Sequence, residues 1–335
     1  MNIGIIGATG FTGIELVKIL YKHPDFKTSI LTSESNQGKY LSDLYPFFKG
    51  IVNHRLVGND FDMVKRNCDA VFLCLPHAEA QDAAAFFYNS GKIVIDLSAD
   101  FRFSNNILYE KTYNVKHKCP ELLKESVYGL PEIFKLKIRK TRLIANPGCY
   151  STSVILPLYP LIKRELIYFD EMIIADAKSG VSGAGKKPTD KNLFCEVDED
   201  FKPYSIFSHR HNPEINFILS ELTDTNIEVL FTPHLLPISR GIETTMYTIS
   251  DKPLEELINC VTEFYKNCPF VRIYTQPVPS VKNVAYTNFI DIGIYKQNDK
   301  VVIVSCIDNL LKGASGQAVQ NLNIIAAIDE TRGLL

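Results

Sequence analysis

The first residues of the chain contain the feature that most restricts its fold. Residues 2–6 form a short apolar run, three glycines follow at Gly7, Gly10 and Gly13, and residues 14–21 carry apolar side chains at helical spacing. A strand, a glycine-rich turn and a helix in this order allow a pyrophosphate to approach the N–H groups of the helix N-terminus. The pattern predicts a parallel α/β unit that binds a dinucleotide, although its GxxGxxG spacing departs from the stricter GxGxxG.

The predicted second strand, near residues 28–32, is followed by residues that would distinguish NADP from NAD. An NAD site usually places an acidic residue here to bond the ribose 2′-hydroxyl. Ser33, Ser35 and Lys39 suit a 2′-phosphate instead, whereas Glu34 favours NAD unless its side chain points away. We therefore predict NADP(H) as the cofactor.

Strands continue to alternate with helical stretches in the first half of the chain. The predicted elements are strands at 70–76, 93–98 and 141–145 and a helix at 79–88. Such alternation is typical of a doubly wound parallel sheet, which binds ligands at the carboxyl ends of its strands. Pro76 and Arg102 fall at that edge. The Arg102 guanidinium is a candidate clamp for an anion, and a surface salt bridge is the alternative.

An Asn-Pro-Gly-Cys-Tyr motif follows the last of these strands. The chain turns at Pro147–Gly148, and Cys149 begins an apolar helical stretch. A thiol at a helix N-terminus meets unpaired N–H groups and the positive end of the helix dipole, which favour the nucleophilic thiolate. An inert buried cysteine is the alternative. Pro157 and Pro160 lie within the stretch, so we expect the helix to be short or kinked.

The second half predicts a different architecture. A strand at 171–177 leads into a loop at 178–187 that is rich in glycine and lysine and could lie against a phosphate or the nicotinamide. Alternating runs then predict strands at 227–231, 244–249, 286–295 and 301–306, a helix at 254–267 and a final helix opening at 309–320. The fold class is therefore α/β: a Rossmann-type doubly wound parallel sheet, then an α+β domain with a mixed, largely antiparallel sheet.

A histidine cluster offers acid–base chemistry in this second half. His209 and His211 flank Arg210, just before a helix start at Pro213, and Glu214 follows. One of these groups could act as a general base. A third metal ligand cannot be found beside them, and no cysteines form CxxC pairs, so we expect no metal.

Length and composition limit the number of domains, the partners and the cellular location that we expect. A length of 335 residues favours two domains, and a net charge of −2 implies no general attraction to nucleic acid or anionic membranes. No apolar run approaches the roughly 20 residues that span a bilayer. The N-terminus lacks the features of a signal peptide. The eight scattered cysteines suggest free thiols in a reducing compartment, so we expect a cytoplasmic protein.

These parts together permit one reaction. A thiolate would attack an activated acyl carbon to form a thioester, which a nicotinamide hydride would reduce to an aldehyde. Arg102 and the lysine-rich loop would bind a phosphate leaving group, and a histidine would move the proton.

The chain resembles the N-acetyl-gamma-glutamyl-phosphate reductase family, within the wider aspartate-semialdehyde-dehydrogenase-like group. The resemblance extends over the whole chain, and the order and combination of its motifs are specific. The motifs are Gly7–Gly13, Cys74–His77, Asp96–Arg102, Tyr128–Glu132, Asn146–Tyr150, Lys178–Gly185, His209–Ile215, Pro233–Pro237, Arg240–Gly241 and Asp308–Ala314.

The resemblance implies NADPH-dependent reduction of N-acetyl-L-glutamyl 5-phosphate to N-acetyl-L-glutamate 5-semialdehyde and phosphate, in arginine biosynthesis. It implies Cys149 as the nucleophile and His209 or His211, preferably His211, as the acid–base residue. The predicted cofactor contacts are Gly7, Thr9, Gly10, Phe11, Thr12, Gly13, Ser33, Ser35, Pro76, Ser179, Gly180, Gly183 and Asn309. The predicted substrate contacts are Arg102, Asn146, Ser151, Lys186 and Glu214.

The resemblance also implies an arrangement of domains. Residues 1–148 would bind NADP, with a C-terminal helix at 309–335 packing back onto them, and residues 149–308 would form the catalytic and dimerisation domain of a homodimer or homotetramer.

Two alternatives remain open. One is a related semialdehyde dehydrogenase acting on aspartyl phosphate or carrier-linked aminoadipyl phosphate, although a carrier would favour a basic docking surface that a net charge of −2 does not show. The other is a non-catalytic NADP-binding regulator, which would be free to lose Cys149 and His211.

Overall fold

The computed structural model describes residues 1–190 and 192–335. Contacts between residues divide the chain into two compact units: the first is Met1–Pro147 together with Ala314–Leu335, and the second is Gly148–Gly313. The resemblance described above implies domain boundaries after residue 148 and after residue 308.

The elements are numbered in chain order. The strands are β1 (Asn2–Ile6), β2 (Lys27–Leu31), β3 (Ala70–Leu73), β4 (Ile93–Asp96), β5 (Val127–Tyr128), β6 (Leu143–Ala145), β7 (Ile173–Gly180), β8 (Lys202–Pro203), β9 (Val229–Leu236), β10 (Ile242–Ile249), β11 (Val271–Tyr274), β12 (Ile290–Gln297) and β13 (Lys300–Ile307). The α-helices are α1 (Phe11–Lys22), α2 (Leu41–Leu44), α3 (Phe61–Asn67), α4 (Gln81–Asn89), α5 (Asn106–Tyr113), α6 (Pro131–Ile138), α7 (Cys149–Lys163), α8 (Phe194–Val197), α9 (His211–Thr223), α10 (Leu254–Tyr265), α11 (Val281–Val284) and α12 (Gly316–Ile325). Short 3₁₀ turns lie at Glu34–Asn36, Pro46–Phe48, Pro120–Lys124 and Val181–Ala184, and a π turn lies at Leu311–Ser315.

The first unit is built on a six-stranded sheet in the order β2-β1-β3-β4-β6-β5, with every pair parallel. Successive side chains of a strand point to opposite faces, and each face has its own core. Ile5 and Phe72 pack with residues of α1 and α12, whereas Val71 packs with residues of α3 and α4 on the other face. The predicted Rossmann-type doubly wound sheet is confirmed.

The order of the strands locates a ligand crevice in this unit. The chain passes from β1 to β2 on one side and to β3 on the other, so β1 and β3 flank the point where the order reverses. Ligands of open α/β sheets bind outside the carboxyl ends of the strands at such a point. Gly7 directly follows β1, and Pro76 lies just beyond the end of β3.

The second unit is built on a seven-stranded sheet in the order β11-β12-β13-β10-β7-β9-β8. The pairs β11–β12 and β7–β9 are parallel, and the other neighbours are antiparallel. The predicted mixed, largely antiparallel sheet is therefore confirmed.

Several predicted bounds in the second unit are wrong. The strand predicted at 227–231 is β9, which begins two residues later and ends five residues later. Tyr286 has a φ of 64° and lies before β12, which begins only at Ile290. The predicted strand at 286–295 is therefore four residues too long at its start. The predicted loop at 178–187 is shorter than expected, because its first three residues belong to β7, where they pair with β10 and β9.

The helix α7 runs for 15 residues through Pro157 and Pro160, so the expectation of a short helix is wrong. Each proline lacks the N–H that would bond the carbonyl four residues earlier. The Ser305 hydroxyl donates to the Ser153 carbonyl at 2.7 Å, and the Tyr265 hydroxyl donates to the Leu156 carbonyl at 2.7 Å. Because both acceptors are satisfied by buried hydroxyls, the helix keeps its length.

We expect Tyr265→Phe to lower the free energy of unfolding by about 1–3 kcal/mol, because the buried Leu156 carbonyl loses its donor. Pro160→Ala supplies an N–H to the same carbonyl, so Tyr265→Phe should cost clearly less in that background. Urea unfolding of the four proteins measures the difference. An equal loss in both backgrounds would contradict this account of α7.

Candidate active site

The predicted nucleophile begins a helix whose start is fixed to its neighbour. Cys149 is the first residue of α7, and Gly148 is its N-cap. Glu214, in the first turn of α9, is fully buried, and its Oε1 accepts the Gly148 N–H at 2.9 Å. A buried carboxylate thus pairs one of the N–H groups that a helix start leaves without an intrahelical partner.

His211 lies against the same N-cap. A Cβ added to Gly148 would come within 2.5 Å of His211 Nε2, so only glycine allows the imidazole to take this position. The sequence pattern predicts only a turn at Gly148 and does not indicate this role. A glycine directly before a candidate nucleophile was the available signal.

His209 lies in an aromatic environment. Its ring centroid is 4.9–5.5 Å from those of His211, Phe231, Tyr150 and Tyr204. Burial, together with the charge of Arg210, lowers the pKa of His209 to about 4, although Glu214 opposes the shift. His209 Nδ1 accepts the His211 N–H at 3.1 Å. Its imidazole is therefore neutral at physiological pH and holds the start of α9.

Two tyrosine hydroxyls lie beside this cluster. The hydroxyls of Tyr150 and Tyr204 are 3.1 Å apart. Burial raises the pKa of Tyr204 to about 12 and that of Tyr150 further, and the nearby Cys149 adds to both shifts. Both phenols therefore stay protonated.

Cys149 differs from most of the other cysteines in its surroundings. Burial raises the pKa of Cys68 to about 11 and those of Cys74 and Cys119 to about 12, and it also raises the pKa values of Cys260 and Cys306. These five side chains stay as thiols at neutral pH. Cys149 is half-buried and stands at a helix N-terminus, which is the setting of reactive cysteines.

The residues predicted to face the nicotinamide are brought together in the second unit. Asn309 Nδ2 donates to Ser182 Oγ at 2.9 Å, and Asn309 Oδ1 accepts the Gly241 N–H at 2.8 Å. A Cβ on Gly183 would lie 3.1 Å from Ser179 Oγ. Gly180 has a packing role, because its Cβ would come within 2.8 Å of the backbone at Ser239 and Arg240.

The lysines of the predicted phosphate loop have different surroundings. Lys178 Nζ lies 3.1 Å from Asp176 Oδ2 and 3.4 Å from Glu243 Oε2, so its charge is balanced on the sheet. Lys186 lies beyond the Val181–Ala184 turn and is exposed. A phosphate role in this segment is thus confined to the lysines that follow the turn.

The glycine turn of the first unit fits a pyrophosphate. Gly7 has a φ of 81°, and its Cβ would lie 2.5 Å from the Cys74 carbonyl oxygen, whereas a Cβ on Gly13 would lie 2.7 Å from the backbone of Ala8. Both glycines are required by the fold itself. A Cβ on Gly10 would meet no atom closer than 3.8 Å. Gly10 therefore leaves a cradle at the N-terminus of α1, where Phe11 and Thr12 supply further N–H groups.

The loop after β2 is arranged around hydroxyl groups. Ser33 Oγ lies 3.0 Å from Thr9 Oγ1, and Asn36 Nδ2 donates to Ser35 Oγ at 3.0 Å. Glu34 Oε1 accepts the Asn59 N–H at 2.5 Å. The acidic side chain is thus bonded to the backbone, while the Ser33 and Ser35 hydroxyls pair with Thr9 and Asn36.

Arg102 and Asn146 hold the end of β6. Arg102 Nε donates to the Asn146 carbonyl at 2.8 Å, and its Nη2 donates to the Leu97 carbonyl at 3.3 Å. The Asn146 amide bonds the Ala314 carbonyl at 3.1 Å and Asn321 Nδ2 at 3.2 Å. Both predicted substrate residues therefore order the segment that leads to Cys149.

Among residues 1–190 and 192–335, no group of three or more His, Cys, Asp or Glu side chains could hold a metal ion. None of the helices described there has the length and apolar character needed to cross a membrane.

Comparison with known proteins identifies the class. The chain matches the family models of the semialdehyde dehydrogenase NAD binding domain over residues 2–141 and the semialdehyde dehydrogenase dimerisation domain over residues 149–309. The N-acetyl-gamma-glutamyl-phosphate reductase of Caldicellulosiruptor saccharolyticus is 48% identical over 335 residues, which cover 99% of this chain and 97% of the relative. That of Geobacter metallireducens is 45% identical over 340 residues, covering 100% and 98%. The chain belongs to the N-acetyl-gamma-glutamyl-phosphate reductase family, and the predicted resemblance is confirmed.

Solved structures show the same fold at low identity. Aspartate semialdehyde dehydrogenase II from Vibrio cholerae, complexed with ASA, has a TM-score of 0.73 at 16% identity, covering 97% of this chain and 98% of its own. Aspartate semialdehyde dehydrogenase with NADP from Candida albicans has a TM-score of 0.73 at 15% identity, with the same coverage.

We expect Gly148→Ala to lower turnover about 100-fold, because the new methyl group displaces the His211 imidazole. Gly293→Ala is the matched control, since its Cβ would be similarly crowded, at 2.7 Å from the Tyr295 hydroxyl. Steady-state rates and melting temperatures of both variants separate the effects. Equal losses of activity in the two variants would contradict the placement of His211.

His209 predicts a dependence of stability on pH. The unfolded chain binds a proton near pH 6.5, whereas folded His209 binds one only near pH 4, so stability falls as the pH drops through this window. We expect His209→Gln to reduce this loss, measured as the change in melting temperature between neutral and mildly acidic buffer. The imidazole signals of His209 in NMR should not titrate above about pH 5. A midpoint near the ordinary histidine value would refute the assignment.

Proposed function

We propose that this protein catalyses the NADPH-dependent reduction of N-acetyl-L-glutamyl 5-phosphate to N-acetyl-L-glutamate 5-semialdehyde and phosphate, a step of arginine biosynthesis. The supporting observation is Cys149 at the start of α7, with His211 against the adjoining N-cap, in a chain that is 48% identical to a reductase of that name.

Cys149 is the proposed nucleophile. His211 takes the proton of its thiol, and the thiolate attacks the acyl carbon of the substrate. The bond to phosphate breaks, His211 passes the proton to the departing phosphate, and a thioester remains on Cys149. NADPH, when bound, supplies the hydride that reduces this carbon to the level of an aldehyde. The thiolate leaves with the semialdehyde released and recovers a proton through His211 from solvent.

The two histidines have different proposed roles. His209 is surrounded by aromatic rings, and burial lowers its pKa to about 4. Its Nδ1 already accepts the His211 N–H. A group this weakly basic is a poor proton carrier at neutral pH. We therefore propose that His211 transfers the proton and that His209 holds His211 in position.

Glu214 receives a role other than the predicted substrate contact. Its carboxylate is fully buried and accepts the Gly148 N–H, so we propose that it sets the position of α7 relative to α9. Cys149 and His211 are the first residues of those two helices. Nucleophile and base are thus held by one hydrogen bond between their helices.

The substrate phosphate is proposed to bind cationic side chains. Arg102 is a buried guanidinium whose orientation is fixed by two carbonyls, and its positive charge suits a phosphate. The exposed Lys186 is the second proposed contact. Asn146 and the fully buried Ser151, in the first turn of α7, remain proposed substrate contacts.

NADP(H) is the proposed cofactor. The cradle at Gly10 and the first turn of α1 would hold the pyrophosphate. Ser33 and Ser35 would bind the 2′-phosphate, which is supported by the bond that directs Glu34 to Asn59. Thr9 and Pro76 complete the proposed contacts in this unit. Ser179, Gly180, Gly183 and Asn309 are proposed for the nicotinamide end.

We further propose a homodimer or homotetramer in the cytoplasm. Support for assembly comes from the match of residues 149–309 to a family model described as a dimerisation domain. Support for a reducing compartment comes from eight cysteines, all of them free thiols in the structure.

The deciding assay follows NADP reduction with N-acetylglutamate semialdehyde and phosphate, repeated with aspartate semialdehyde and with NAD. We expect fast, phosphate-dependent turnover only with the acetylated substrate and NADP. Turnover with a different semialdehyde would keep the mechanism and overturn the substrate. Tight NADPH binding without turnover of any aldehyde would indicate the non-catalytic regulator.

We expect Cys149→Ser to abolish turnover while NADPH binding persists, because a hydroxyl at this position is not ionised at neutral pH. Cys195→Ser is the matched control, since that cysteine is exposed on α8 and should be dispensable. Activity and NADPH fluorescence titration of both variants are the measurements. Full activity of the Cys149 variant would refute the thioester mechanism.

A further inference from the structure

A buried carboxylate directly after β13 organises a turn of the second unit. Asp308 is fully buried. Its Oδ1 accepts the N–H groups of Leu310 at 2.8 Å and Leu311 at 3.0 Å, and its Oδ2 accepts the Tyr286 N–H at 2.7 Å. Three backbone donors from two separate segments therefore converge on one carboxylate.

The same turn packs against the proposed nucleophile, Cys149. The Asp308 carbonyl accepts the Gly313 N–H at 2.9 Å. A Cβ on Gly313 would lie 2.7 Å from Cys149 Cβ and 3.3 Å from Cys149 Cα, so this glycine packs directly on the cysteine. Through its side chain and its carbonyl, Asp308 thus determines the position of the turn that packs against Cys149.

Arg240 balances the buried charge. Its Nε lies 3.5 Å from Asp308 Oδ2, and its guanidinium lies 4.7 Å from the ring centroid of Tyr286. The next residue, Gly241, donates its N–H to Asn309 at 2.8 Å. The pair therefore connects the β9–β10 loop to the residues on both sides of the turn.

A buried ion pair is weak evidence of stabilisation, because desolvation of the two charges offsets their attraction. The second unit contains another Arg–Asp pair, with a fully buried aspartate and a partly exposed arginine, which makes no contact with Cys149 among those described. Arg272 bonds Asp291 through Nε at 2.6 Å and Nη2 at 3.0 Å, and its guanidinium lies 4.3 Å from the Phe289 ring centroid. Both pairs join an arginine to a fully buried aspartate, but only the Asp308 pair belongs to the turn that packs against Cys149.

We propose that Asp308 and Arg240 are positioning residues for catalysis, which hold Gly313 against Cys149 and so fix the thiol for attack on the acyl carbon. The inference rests on the proposed function for its chemistry and on the Asp308–Gly313 turn for its geometry. The pair acts through Gly313 and touches neither substrate nor the reacting atoms.

The test compares Asp308→Asn with Asp291→Asn. An amide at position 308 presents a donor in place of one acceptor, so at least one of the three backbone N–H groups loses its partner. A misplacement of the nucleophile by about 1 Å costs on the order of 100-fold in rate. We therefore expect kcat of Asp308→Asn to fall by about 10- to 100-fold, with KM changed by less than about threefold.

Alkylation of Cys149 by iodoacetamide supplies a readout that needs no substrate. We expect its rate at neutral pH to fall several-fold in Asp308→Asn, because the thiol is no longer held in one place at the helix N-terminus. Cys149→Ser identifies the alkylated site by mass spectrometry. Asp291→Asn should lose comparable thermal stability while keeping kcat and the alkylation rate.

Wild-type kcat and alkylation in Asp308→Asn would overturn the inference, as would equal losses in both variants. If Asp308→Asn does not fold, Arg240→Lys against Arg272→Lys decides, with a smaller loss of kcat and alkylation rate expected only in the former. A wild-type protein without turnover of any acyl phosphate or semialdehyde would refute the proposed function. The alkylation rates would still decide whether the pair positions Cys149.

Discussion

The hydrogen bond from the Gly148 N–H to the buried Glu214 carboxylate is the contact on which the arrangement of the site depends. It joins the N-cap of the helix that begins with Cys149 to the helix that begins with His211. Two helix starts place unpaired donors and positive dipole ends close to the proposed reacting groups. The absence of a Cβ at Gly148 then lets the imidazole lie against that N-cap.

The second unit satisfies its buried polar groups with specific side chains, and this decides its shape. The carbonyls freed by Pro157 and Pro160 take hydroxyl donors from Ser305 and Tyr265, so a helix that the sequence predicts to be short or kinked continues. Asp308 gathers three backbone N–H groups and thereby shapes the turn beside Cys149. Unmet donors and acceptors would cost more than these side chains cost to bury.

Much of the fold could be predicted, because its signals are local. The apolar runs that became β1, β3, β4 and β6 are continuous, and the glycine turn after β1 is short. The errors fall where distant residues decide. The sequence predicts Tyr286 in a strand, yet the residue has a left-handed conformation and donates its N–H to Asp308. The sequence predicts Lys178 in a phosphate loop, yet β7 extends through it and Asp176 and Glu243 balance its charge.

By itself the sequence determined the strand–turn–helix units and the position of Cys149 at a helix start, because periodicity and turn residues act over a few neighbours. It also determined the family, because the order of many short motifs is specific. The tertiary structure decided that His209 is surrounded by aromatic rings and neutral. It also decided that packing requires Gly7 and Gly13, whereas Gly10 leaves open space at the helix N-terminus. It also decided that the side chains of Glu214, Arg102 and Asn146 form hydrogen bonds to backbone groups. These properties depend on burial and on partners far along the chain, which no local pattern records.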